Sequence, residues 1–98
     1  MAMTEDVRWI ATAFLEMLDG IDVRQLDPPL HVIAHRLALA DMVLTEVEDS
    51  DLECMAIRAQ AEATRDLCLD PTSLDAITAW VATRRAYLEV VQAAHGQQ

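Results

Sequence analysis

The chain has 98 residues and a formal charge of −10, from 17 acidic side chains against seven basic ones, all of them arginine. That balance disfavours direct contact with nucleic acid or an anionic membrane and favours a basic partner. The length leaves room for one domain, residues 1–98, and the sixteen alanines, with only two glycines and three prolines, exclude an all-β or disordered chain.

The first predicted helix covers about 4–19. Thr4 can cap it, Glu5 and Asp6 complement its dipole in the first turn, and Gly20 is the expected stop. Val7, Ile10, Ala11, Phe14, Met17, Leu18 and Ile21 form its apolar stripe. Trp9 falls on the other side, with Thr12 and Glu16, where it either packs on the 21–29 connection or stands ready as an interface anchor.

The second helix is expected over about 28–48, with Asp27 as cap and Pro28 at the first helical position. Its seam is Leu30, Ile33, Leu37, Ala40, Leu44 and Val47, widened by Val32, Leu39 and Val43. The sequence SDLE (50–53) has the pattern of a capping box and opens a third helix over about 51–68. This helix has one apolar face of Leu52, Met55, Ala56, Ala59, Ala63 and Leu67, and another of Cys54, Ile57, Ala61 and Cys68. Two such faces predict a helix sandwiched between neighbours. DPTS (70–73) opens a fourth over about 71–94, with Leu74, Ile77, Trp80, Val81, Tyr87, Leu88 and Val91 in a wide apolar arc. Residues 1–3 and 95–98 read as frayed tails. Short connections force antiparallel neighbours, so the expected fold is all-α, an up-and-down four-helix bundle. Arcs this wide exceed what four helices can cover and point to a homodimer or another partner.

No apolar run reaches 18 residues, and the start lacks a charged segment followed by an apolar one, so a cytoplasmic protein is expected. Cys54 and Cys68 lie fourteen residues apart on one helix, beyond disulfide reach, and two free thiols suit a reducing compartment.

His31 and His35 are spaced i, i+4, as zinc ligands on a helix are, but Val32 stands where zinc motifs carry a glutamate and no third ligand follows. The stretch AHRLALA (34–40) resembles the active helix of histidine-phosphotransfer domains, which are four-helix bundles of similar size. Leu37 matches that pattern, whereas Ala38 and Leu39 replace its lysine and glycine. The resemblance implies a phosphoryl acceptor at His35. No glycine-rich phosphate loop, nucleophile–base pair or tuned carboxylate pair is visible, so no catalytic residue, metal or cofactor is expected.

Arg36 and Arg84 fall inside apolar arcs, where each must snorkel, pair with an acid such as Asp41, Glu62 or Asp66, or meet a partner. The segment EVEDSDLE (46–53) gathers Glu46, Glu48, Asp49, Asp51 and Glu53 with no base among them. The expectation is a non-enzymatic module that binds another protein as adaptor, inhibitor or accessory subunit. It could do so by occupying a basic or nucleic-acid-binding surface. The contact residues would be Trp9, the five acids of this turn, Arg84 and Arg85; the alternative is the phosphotransfer or metal reading at His35 and His31.

Overall fold

The computed structural model describes residues 5–25 and 27–96. It contains α1 (Glu5–Asp19), α2 (Leu30–Glu46), α3 (Leu52–Leu69) and α4 (Leu74–Gly96), and no strand among the described residues. The closely packed pairs are the sequence neighbours: α1 with α2, α2 with α3, and α3 with α4. Residues late in α3 meet residues early in α4, as Thr64 meets Trp80, so the pair is antiparallel. The result is an up-and-down four-helix bundle.

Helix boundaries depart from the sequence expectation for local reasons. Asp27 and Pro28 do not open α2, because a residue followed by proline is driven out of the helical region by the next ring. Pro28 is followed by Pro29, so the helix waits for Leu30. Pro29 is the cap residue, at φ −57° and ψ 146°, and its carbonyl accepts from the amides of Val32 and Ile33 at 3.0 and 3.1 Å. α2 also ends at Glu46, where Val47 turns extended, rather than at residue 48.

At α3 the cap is Asp51 and not Ser50; its carboxylate accepts from the Cys54 amide at 2.8 Å. The pattern SDLE is present, but the acid one residue later makes the stronger charge-assisted bond to an orphan amide. α4 starts at Leu74, later than DPTS implies. Residues 70–73 form a turn, with the Ser73 amide on the Asp70 carbonyl at 3.2 Å. Ser73 then caps, its hydroxyl accepting from the Ala76 amide at 3.3 Å. α4 continues to Gly96, two residues past the expected end.

Gly20 does follow the last residue of α1, but not as a left-handed cap, since no described glycine has positive φ. Its amide bonds the Met17 carbonyl at 3.0 Å, and Ile21 bonds Leu18 at 3.1 Å, which tightens the last turn. The expected Thr4 cap and the tails 1–3 and 97–98 lie outside the described residues.

Phe14 and Leu18 of α1, Ala40 and Val43 of α2, Val47 just after it, and Cys54, Ile57 and Ala61 of α3 are almost fully buried. The α2 seam is therefore centred on Val43, and Leu30, expected within it, is exposed. α3 packs between α2 and α4 as expected, but Leu52 and Met55, at the start of one predicted face, stay exposed. α4 buries Trp80 and Tyr87, seven residues apart, but leaves Leu74, Val81 and Leu88 exposed. Its closely packed neighbour is α3, which covers a narrower arc than the sequence offers.

Two polar ties fix these helices. Between α3 and α4, Trp80 Nε1 donates to Thr64 Oγ1 at 3.0 Å, and Gln60 Nε2 donates to Thr83 Oγ1 at 2.7 Å. Thr64 in turn donates to the Gln60 carbonyl at 2.7 Å, so this buried layer specifies the register of the pair. Between α2 and α3, Arg58 Nη1 donates to the carbonyls of Leu44 and Val47 at 2.8 and 2.7 Å. It thereby satisfies the orphan carbonyls at the end of α2 with a cation, as the helix dipole favours.

Candidate protein-docking site

The turn between α2 and α3 carries Glu46, Glu48, Asp49, Asp51 and Glu53, all exposed. Its backbone is held by the Val47 amide on Val43 O at 2.9 Å and the Ser50 amide on Glu48 O at 2.9 Å. The backbone hydrogen bond from Cys54 holds the Asp51 carboxyl below the usual carboxylate range, so it is ionised at neutral pH. Arg58 lies beneath this turn, but its guanidinium serves backbone carbonyls. Among the described residues the ion pairs are Arg24 with Asp22 and Arg84 with Asp19, and neither relieves the five acids.

Asp51 and Glu53 stand on a ridge between two grooves. One, about 380 Å³, runs against α1 and is lined by Arg8, Ala11, Thr12, Leu15 and Ile57 together with those two acids. The other, about 670 Å³, lies between the start of α3 and the last turns of α4. Leu52, Ala86, Val90, Ala93 and Ala94 make its apolar surface, and Asp51, Glu53 and Glu89 are its charged residues. Leu52 and Met55 belong to the α3 face that the sequence predicts as buried, yet they are 71% and 50% exposed. Opposite Leu52, α4 presents three alanines, which are too small to fill the space, and a groove remains.

The other expected contact residues do not join this site. Trp9 is 63% exposed, so it does not bury itself on the 21–29 connection. It follows Arg8 but lies about 100° further round the helix, outside the lining of the α1 groove. Arg84 donates from Nη2 to Asp19 Oδ1 at the end of α1, a partner 65 residues away and not Asp41, Glu62 or Asp66. Arg85 beside it is exposed.

His31 and His35 are both exposed on α2. Among the described residues no three of the His, Cys, Asp and Glu side chains converge as a metal site would require. Arg36 is half-buried and makes no ion pair among the described residues. It lines a small interior cavity with Ile33, Thr64, Leu67, Cys68 and Pro28, at the other end of α2 and α3 from the acidic turn. At about 20 Å³ this space holds about one water. Burial pushes the Cys68 thiol up, opposed by the Arg36 charge, and burial likewise pushes up the Cys54 thiol. Both sulfurs are held as thiols, which are poor nucleophiles.

No helix among the described residues is long and apolar enough to cross a membrane. Comparison with protein-family models, with curated proteins and with solved structures finds no match to this chain.

Proposed function

We propose that the chain acts without catalysis, as a small acidic module that binds another protein as adaptor, inhibitor or accessory subunit. One observation carries this reading. Exposed Leu52 lies with Ala86, Val90 and Ala93 in an unfilled groove whose charged residues, among those described, are all acids. Apolar surface left open inside a rim of one charge is the anatomy of a recognition site, with a desolvated centre and a steering periphery. The acidic turn extends the same potential beyond the groove, and its chemistry suits a basic surface on the partner, including one that otherwise holds nucleic acid. The unbridged Cys54 and Cys68 fit a reducing compartment such as the cytoplasm.

Affinity capture from the source cells, with wild type and a Leu52→Asp, Val90→Asp variant of unchanged helicity, tests this reading. A protein retained in stoichiometric amount by wild type, released by salt and absent from the variant is the expected outcome. Identical captures by both proteins, or turnover of a substrate by the isolated chain, would contradict it.

A homodimer is a second reading, favoured by Leu74, Val81 and Leu88, which are exposed at seven-residue intervals along α4. Sedimentation at micromolar concentration then shows more than the 10.9 kDa monomer, and Val81→Glu restores the monomer.

A further inference from the structure

The groove between α3 and α4 has a length, a floor and a charge, and together they specify its occupant. It extends along α4 from Ala86 to Ala94, about 12 Å at 1.5 Å per residue, which is two helical turns. Its floor on α4 is alanine and valine, side chains short enough for a second helix to approach closely. Leu52, 71% exposed, supplies its apolar edge on α3. Among the described residues its charged lining is Asp51, Glu53 and Glu89, with no cation. None of these carboxylates forms an ion pair among the described residues.

We infer that this groove receives an amphipathic helix of a partner protein, with apolar anchors at i, i+3 or i+4, and i+7 and with arginine or lysine flanking that stripe. The inference rests on the protein-binding reading above and names the shape and charge of the partner. An extended apolar peptide would leave its own backbone amides unpaired against a floor of helical side chains, whereas a helix satisfies its backbone internally. A second copy of this chain would bring three carboxylates against three others, on molecules that each carry a formal charge of −10. A basic helix reverses that repulsion. Its cations reach the two rims while its apolar stripe covers Leu52 and Val90.

The test is an amide NMR titration of the isotope-labelled full chain with an unlabelled 18-residue helical peptide, leucine along one face and lysine and arginine on its flanks. A control peptide carries glutamate in place of the cations. The inference expects saturable shifts at residues 51–55 and 86–94 with the basic peptide, and none with the acidic one. Leu52→Ser with Val90→Ser should weaken binding by about tenfold or more, as loss of central anchors does. Glu53→Gln with Glu89→Gln should weaken binding and flatten its salt dependence. Glu46→Gln with Glu48→Gln, outside the groove, should change affinity by no more than about twofold at physiological ionic strength, where screening acts over about 8 Å.

Shifts confined to residues 46–51 would overturn the inference while leaving the acidic turn as a docking site, so the broader reading survives. Concentration-dependent shifts without peptide at Leu52, Val90 and Ala93, and not at Leu74 and Val81, would assign the groove to a second copy and overturn the choice of occupant. No binding by the basic peptide would overturn the inference outright.

Discussion

One helix pair, α3 with α4, is closed at one stretch and open at another. Around Gln60, Thr64, Trp80 and Thr83 the two helices are filled by an indole and cross-linked by hydrogen bonds. Around Leu52, Ala86, Val90 and Ala93 the same two helices leave a groove of about 670 Å³. The difference lies in what α4 presents: Trp80 and Tyr87 on the buried line, alanines beside the start of α3. On the proposed reading the closed stretch secures the fold and the flank carrying Leu52, Ala86 and Val90 is left for recognition, with buried Tyr87 at the same level of α4. The closed stretch holds the helices in register so that the open one keeps its shape.

The comparison breaks hardest at Trp80. Replacing it with alanine removes the largest side chain of the closed stretch and the donor to Thr64, and should cost about 3–5 kcal/mol in urea denaturation. A loss below about 1 kcal/mol, within the range of surface substitutions and small repacking, would show that the closed stretch is not what holds α4. Next comes Arg58→Met, which keeps the apolar stem but deletes both bonds to the carbonyls of α2. Bonds from a charged donor predict a loss of about 2 kcal/mol, and the α2–α3 turn should exchange its amides faster.

A smaller effect separates charge from packing at the ridge. The hydrogen bond from Cys54 lowers the folded-state value of the Asp51 carboxyl, so its ionised form adds stability above the unfolded value of that group. That contribution disappears as pH falls through the folded value. Asp51→Asn keeps a capping oxygen without the charge, so it should be less stable than wild type at neutral pH. The gap should close as pH falls through the lowered folded value of the Asp51 carboxyl. A gap independent of pH would place the effect in geometry instead.

Much of this architecture is legible in the sequence because apolar periodicity reports helices and their order. The buried Trp80 and Tyr87, the sandwiched α3 and the acidic turn all follow from spacing and charge. Other features are invisible to that signal. Arg58 binds backbone carbonyls, which no side-chain pattern encodes. Gln60 and Thr64 are fully buried polar residues on an alanine-rich helix, and a count of apolar positions passes over them. Arg84 finds Asp19 across 65 residues, whereas nearest-acid reasoning looks to α2 and α3. The groove was legible only as an excess: arcs too wide for four helices say that apolar surface is left over, but not which end keeps it. That depends on three alanines facing Leu52, a pairing set by the register of α3 and α4.

On the proposed reading the open stretch binds a partner and contributes little to the fold. Filling it tests this most directly: titration of the basic helical peptide into an Ala86→Leu, Ala93→Leu variant, with its urea midpoint measured alongside. Added side chains in an open groove meet space, so stability should stay within about 0.5 kcal/mol of wild type or rise. Peptide affinity should fall by about tenfold or more, because the leucines occupy the position of the anchors. Undiminished affinity in the filled variant, with the fold intact, would contradict the account.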